Sequence, residues 1–400
     1  MSFLRMPTAG TPYNLYETAR SVLGFFESEK VIQRYREILK SYLNVENLLL
    51  VNSGTTACYI LFELFKKIRK SEKQNEIILP AYTAPSLLLP IKAANLKAVL
   101  VDTNPNDFNM DTKQIPNLIS SRTLAVMPVH MFGLPCEVES LLKLTDGSDI
   151  FILEDGASAL GTTVNKQHIG TTAPFGFYSL NRGKNVSTLA GGIIVWKNDD
   201  YSELFQQYVN ELTTLSTLAK FIMFLKFIGL SLAVRPFTYT LMSPIVSKFK
   251  YTTLHSHFDS FKYTTMQAAL GINIWKRIDD LTERRIENGK ALLNVFKNRN
   301  GIITPVIPED AEAAFNQFPI VIDDLKKRKR LQKELLNQGI ETTLMYEKPL
   351  HHIFPELYSP GDDPFPNATY LAEHLLLIPP HAQIRCSTIN TIKEAVKAVF

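Results

Sequence analysis

Residues 175–196 read FGFYSLNRGKNVSTLAGGIIVW: a strand, a polar loop and a second strand. Lys184 lies in the middle of the loop, flanked by Gly183 and Asn185, with Ser179 and Asn181 ahead of it. A loop lysine is ordinarily solvated. This one follows a buried strand, and a desolvated lysine beside other cationic groups has a lowered pKa and becomes nucleophilic. Working outward, short apolar runs alternate with helical stretches from about Glu46 to Val195. EIILP (76–80), KAVLVD (97–102), LAVMPVH (124–130) and FILED (151–155) are rich in β-branched or large apolar residues, and each ends in a loop of polar or small residues. That rhythm predicts parallel strands with crossover helices, an α/β layered domain. In such sheets ligands sit beyond the carboxyl ends of the strands, so the polar residues that close the runs are candidates for the site.

Downstream the pattern changes. MQAALGINIWKRIDDLTERRIENGKALLNVFKN (266–298) reads as one long amphipathic helix, and a smaller α+β part follows from about Gly301. There FPIVI (318–322) and the run near ETTLMY (341–346) read as strands, and DLKKRKRLQKELLNQG (324–339) as a helix ending at Gly339. The expected division is a large domain over 1–285 and a small C-terminal α+β domain over 286–400, with a margin of roughly ten residues.

Bulk properties narrow the function. The chain has 400 residues, 45% of them hydrophobic, enough for a large core. A net charge of +4 with no dense basic stripe argues against nucleic acid. Cys58, Cys136 and Cys386 are far apart and form no CxxC pair, which excludes a disulfide scaffold or Cys-based zinc site; no metal is expected. The opening MSFLRMPTAGTPYN has no apolar core or cleavage site, so a reducing cytoplasm is the expectation.

Two further segments carry chemistry. LVNSGTTACYILFELF (50–65) reads as strand, small polar turn, helix. Gly54 lets the backbone approach a ligand. Ser53, Thr55 and Thr56 offer hydroxyls beside the free amides of the helix N-terminus, an anion site suited to phosphate; taken alone, the turn is equally a plain Ser/Thr cap. FILEDGASALG (151–161) puts an acid at the end of a hydrophobic strand. Asp155 points into the expected cleft, where an uncompensated carboxylate is costly and a protonated pyridine nitrogen would resolve the cost. Its neighbour Glu154 faces the other way and reads as structural. A phosphate cradle, a strand-end aspartate and a later loop lysine, in that order, fit what a pyridoxal-phosphate (PLP) enzyme needs.

With these motifs the chain resembles the DegT/DnrJ/StrS family of sugar aminotransferases, which have the fold-type-I PLP architecture. Ser53-Gly54-Thr55 looks like the family's SGT phosphate motif, Pro80-Ala81-Tyr82-Thr83 like its PAYT turn, PVHMFG (128–133) like its PVHLYG, and Glu154-Asp155-Gly156-Ala157 like its EDAA. SLNRGKNVSTLAGG (179–192) aligns without a gap to SFHPTKNLTTGEGG and places the Schiff-base lysine at Lys184. MQAALG (266–271) and 337–381 match further family segments.

The resemblance implies that Lys184 bonds the cofactor and shuttles the proton. Asp155 would pair with the pyridinium nitrogen; Thr55, Thr56 and Ser179 would hold the phosphate. Ser158 would lie near the ring hydroxyl. It also implies a homodimer with shared active sites, in which a neighbouring subunit gives Asn and Arg from a GYNYR motif; FDSFK (258–262) would put Ser260 and Lys262 there. Glutamate would donate the amino group, with pyridoxamine phosphate carrying it to a carbonyl sugar.

Four departures stand out. Ala84 replaces an aromatic that stacks on the cofactor, leaving Tyr82 or another segment to do so. The GEGG stretch reads LAGG (189–192), and the partner motif is altered. An apolar insertion at about 214–250 includes TLAKFIMFLKFIGLSLAVRPFTYTLMSPIV (217–246), interrupted by Lys220, Lys226 and Arg235. It is too interrupted for a span of ~18–20 residues. It reads as an apolar helical pair packed on the protein or dimer, as a substrate lid, or as a surface helix giving peripheral contact with the inner membrane face. The expected activity is amination of a nucleotide-linked keto- or aldehyde-sugar for surface polysaccharide or lipopolysaccharide. Rivals are amination of a free carbonyl sugar acid (8-amino Kdo type) or cyclitol, and a non-catalytic PLP-binding regulatory or scaffold protein.

Overall fold

A computed structural model describes residues 5–8, 13–233, 237–241, 256–358 and 361–400. The strands run, in chain order, β1 (Asn47–Val51), β2 (Glu76–Pro80), β3 (Lys97–Val101), β4 (Thr123–Val126), β5 (Phe151–Asp155), β6 (Thr163–Val164), β7 (Gln167–His168), β8 (Phe175–Ser179), β9 (Gly192–Trp196), β10 (Ile302–Ile303), β11 (Ala311–Glu312), β12 (Phe318–Ile322) and β13 (Leu375–Ile378). Seven of them form the central sheet in the order β1-β9-β8-β5-β4-β2-β3. Only β9 runs against its neighbours, β1 and β8; the other pairings are parallel. The expected mostly parallel α/β architecture is therefore present, and EIILP and FILED coincide with β2 and β5.

Two-sided burial explains why these strands read as continuous apolar runs. In β1, Leu49 and Val51 pack into one core with helix Gly54–Ile68, while Leu48 and Leu50 pack into another with helices Lys30–Leu43 and Thr265–Trp275. β9 splits in the same way, Ile194 and Trp196 to the first core and Ile193 and Val195 to the second. Alternation still operates, but both faces are apolar.

The long helix expected over 266–298 is two helices, Thr265–Trp275 and Ile278–Phe296. Arg277 leaves helical geometry (φ −131°), and its guanidinium makes a bidentate pair with buried Glu17. Hydrophobic periodicity continues across the break, so only the distant ion pair marks it. The first helix opens with a capping box between Thr264 and Gln267. The boundary read near residue 285 falls within the second helix.

The C-terminal part has a three-stranded antiparallel sheet, β10-β12-β13, with helices Leu325–Asn337, Pro366–His374 and Cys386–Lys397. Gly339 follows the first of these with φ +81°. The strand expected near 341–346 does not form: a single bridge joins Thr343 to Leu377, and Met345 takes a left-handed backbone (φ +57°) that ends the extended run. β13 lies instead in HLLLI, which had no strand reading.

Helix Thr217–Ala233 covers the start of the insertion. No described helix is long and apolar enough to cross a membrane. Arg235 and the rest of the insertion over 242–250 lie outside the described residues.

One close approach locks the sheet to its first helix. Val51 and Ser179 both pair with Gly192, and a Cβ on Gly192 would stand 2.2 Å from the Ser53 carbonyl oxygen. Gly192→Ala is expected to lower stability by about 1–3 kcal/mol, because the clash is with backbone and cannot be relieved by a rotamer. The midpoint of chemical denaturation reads this directly; an unchanged midpoint would mean that the Ser53 turn yields freely.

Candidate active site

β1 and β8 run in the same direction on either side of β9, so Val51 and Ser179 end flanking Gly192, with Asp155 closing β5 beside β8. Everything that follows these ends converges on one edge of the sheet, where ligands of α/β folds bind. The helix after β1 starts at Gly54 with Ser53 as its cap: Ser53 Oγ accepts the Thr56 N–H at 3.0 Å and donates to Thr56 Oγ1 at 3.0 Å. Gly54 approaches Ser179 so closely that a Cβ would lie 3.1 Å from the serine Cβ. The turn thus brings Thr55, Thr56 and Ser179 to the helix N-terminus, where free amides and the helix dipole favour an anion.

Ser260 belongs to the same cluster, its hydroxyl 3.3 Å from Thr56 Oγ1. The resemblance implied that this residue comes from a neighbouring subunit; here the chain's own Ser260 reaches its own cradle. The reason is Asn52, whose amide donates to the Asp259 carbonyl (2.7 Å) and accepts from the Phe261 N–H (3.2 Å). Lys262 continues the segment by pairing its backbone with Val51 and Thr213.

Asp155 is buried. Burial pushes its carboxyl above the usual carboxylate range, against the Ala157 N–H that Oδ1 accepts at 2.8 Å and the positive charge of Lys184. Lys184 is the mirror case: desolvation lowers its pKa, and Asp155 opposes the shift. Its Nζ donates to Ser158 Oγ at 3.0 Å. Each group thus loses hydration and keeps the other as counter-charge.

Glu154 faces the opposite way, as alternation requires. It is fully buried and accepts from Gly170 N–H (2.7 Å), from Ala173 N–H and from His130 Nε2 (2.9 Å). His130 Nδ1 accepts the Cys136 N–H, so its proton sits on Nε2. The PVHMFG histidine therefore braces β5 from behind, and its backbone N–H bonds the Asp155 carbonyl.

Several residues in the site had no sequence signal. Asn316 donates to the Gly183 carbonyl at 2.8 Å and to Asn185 Oδ1 at 3.2 Å. Asn185 donates to the carbonyls of Leu160 and Ala314 at 2.8 and 2.7 Å. Buried Arg285 holds the Phe315 carbonyl at 3.0 Å. The lysine loop is thus fastened to a segment 131 residues away. Tyr346 also enters: its ring packs edge-on to Tyr82 (5.7 Å), and Tyr82 Oη donates to its carbonyl. Burial raises the Tyr346 phenol pKa, with Asp155 adding to the effect. Tyr82 itself is fully buried, and Thr83 beside it keeps a buried hydroxyl with no hydrogen-bond partner. Asn181 is exposed, its Oδ1 accepting the Arg182 N–H, while its own N–H donates to Ser179 Oγ of the cradle at 3.3 Å.

The donor set fits pyridoxal phosphate. The cradle suits its phosphate, the buried Asp155 suits a cationic ring nitrogen, and Lys184 is a desolvated amine placed to bond a carbonyl carbon.

The family model described as the DegT/DnrJ/EryC1/StrS aminotransferase family matches residues 16–397. An uncharacterized protein of Methanocaldococcus jannaschii is 28% identical over 376 residues, 92% of this chain and 89% of its own length. The spore coat polysaccharide biosynthesis protein SpsC of Bacillus subtilis is 24% identical, covering 94% of this chain and 91% of that protein. Among solved structures, the Helicobacter pylori aminotransferase PseC, involved in the biosynthesis of pseudoaminic acid, superposes with a TM-score of 0.78 at 22% identity over 99% of both chains.

A carboxyl with a raised folded pKa takes up a proton on folding, so its stability cost appears as pH rises through the window from its unfolded to its folded value and persists above it. Asp155→Asn in cofactor-free protein is therefore expected to be more stable than the wild type at neutral pH. The gain should vanish at a pH below the unfolded value. Thermal melts at both pH values check it, and a loss of stability at neutral pH would mean that the attraction of Lys184 outweighs the desolvation of Asp155.

Proposed function

The chain belongs to the DegT/DnrJ/EryC1/StrS aminotransferase family, and from that premise we propose that its site moves an amino group from glutamate to a nucleotide-linked keto- or aldehyde-sugar. It is a PLP-dependent transaminase of amino-sugar formation in polysaccharide biosynthesis. The observation that carries the reading is the Lys184–Asp155 pair, mutually coupled and desolvated beside an anion cradle at the strand ends.

Bound here, the cofactor supplies an electrophilic carbon and a ring that withdraws electrons from the reacting centre. The chain's own groups do the rest. The Ser53–Thr56 turn, with Thr55, Thr56, Ser179 and Ser260, holds the phosphate and fixes the ring's position. Asp155 stays ionised against a cationic ring nitrogen, which removes the cost of its burial. Ser158 orients the Lys184 amine through their hydrogen bond. Lys184 would hold the cofactor through its Nζ, and the same amine is placed to take a proton from the donor's α-carbon as general base. Its lowered pKa increases the neutral fraction able to do so near neutral pH. Buried Tyr82 and half-buried Tyr346 wall the cleft with their rings edge-on.

We also propose the domain division at 1–285 and 286–400, and a homodimer. In this division the small domain contributes Asn316 and Tyr346 to a site otherwise built by the large one.

A single-turnover assay with PLP-loaded protein tests the proposal. Glutamate should yield about one equivalent of 2-oxoglutarate per chain, and a keto-sugar nucleotide should then be aminated. Lys184→Ala should slow the first step on the order of 10²–10⁴-fold. Absence of 2-oxoglutarate from wild-type protein, or turnover unchanged in the variant, would overturn it.

A further inference from the structure

Helix Thr217–Ala233 carries a stripe of apolar side chains open to solvent: Leu218, Phe221, Ile222 and Leu225 are 68%, 48%, 45% and 52% exposed. Spacing at i, i+3, i+4 and i+7 puts all four on one side. The other side is anchored. Phe227 is fully buried with its ring 5.6 Å edge-on to Tyr13, and Met223 and Phe224 pack against the same core. The short helix at 237–241 repeats the arrangement. Tyr239 is buried and donates to Glu341 at 2.7 Å, while Phe237 and Leu241 are 60% and 62% exposed. Burial of one face makes the exposure of the other a fixed property of the surface.

Charge says what covers this face. From Leu212 to Phe258 the chain has no Asp or Glu, yet it has Lys220, Lys226, Arg235, Lys248 and Lys250. In a chain with 39 acidic residues, an acid-free stretch of that length beside an apolar stripe selects a partner that is both apolar and anionic. A second copy of the chain meets only half of this. A symmetric contact would place two copies of the same acid-free, basic stretch in one interface. An anionic phospholipid surface meets both: acyl chains take the stripe, and headgroups take the lysines. The described helices do not span a bilayer, so the contact lies in the interface plane.

The segment is also tied to the cofactor cradle. Thr213, four residues before the helix, pairs with Phe261, and its hydroxyl donates to the Ser260 carbonyl at 3.1 Å. Ser260 in turn lies against Thr56.

We propose that Leu218, Phe221, Ile222, Leu225, Phe237 and Leu241 dock the protein peripherally on an anionic phospholipid bilayer, with exposed Lys226, at the flank of the stripe, at the headgroups. The test is flotation of the PLP-loaded, full-length protein with vesicles of phosphatidylcholine alone or mixed with phosphatidylglycerol. The protein should float with the anionic vesicles and be released by high salt. Phe221→Asp with Leu225→Asp should abolish flotation. Lys226→Gln, at an exposed position that leaves the apolar packing intact, should weaken it roughly fivefold. Each variant is checked for the cofactor's bound absorbance, which an unfolded chain would lose. Wild-type protein remaining with the soluble fraction, or flotation indifferent to both the aspartate pair and Lys226→Gln, overturns the proposal. So does a change of oligomeric state in the aspartate variant with no vesicle binding by the wild type, which would make the stripe a contact between copies.

Discussion

The mutual dependence of Lys184 and Asp155 governs the site. Each is titratable and shielded from water, so burial drives each toward its neutral form while the partner's charge holds it back. A protein gains little stability from such an arrangement, because desolvation offsets much of the attraction. It is maintained by the frame around it. Glu154, with His130 and two amides, fixes β5 from behind, and Asn185, Asn316 and Arg285 fix the loop from the side. The unfavourable pair becomes favourable when a ligand brings a cation to Asp155 and an electrophile to Lys184.

Much of this was legible in the sequence, for reasons that differ by residue. β2 and β5 were readable because a strand buried on both faces is apolar throughout and ends in polar residues. Ser53 was readable as a cap because local hydrogen bonding needs only a spacing of three. Asp155 and Glu154 could be told apart by alternation alone. The roles proposed for Lys184 and Asp155 rest on their order along the chain and on family likeness, since a loop lysine by itself is ordinary.

What was not legible depends on contacts far apart in sequence. The break at Arg277 is marked by Glu17, 260 residues earlier. Asn316 looks like any asparagine before a strand, and only the fold carries it to Gly183. The run ETTLMY has strand composition, but Met345 turns the chain so that Tyr346 meets Tyr82. The hydrogen bonds by which Asn52 holds the Ser260 segment against β1 of the same chain, across more than two hundred residues, had no signal either. The insertion enters the fold at this point: Thr213 and Phe261 pair beside the cradle, which closes the chain on itself around the insertion and leaves the sheet undisturbed.

The most direct measurement is borohydride reduction of the PLP-loaded protein followed by peptide mapping. The reduced cofactor should be found on the peptide that contains Lys184, at about one equivalent per chain. Attachment at another lysine, or none, would contradict the assignment of Lys184 on which the whole reading of the site rests.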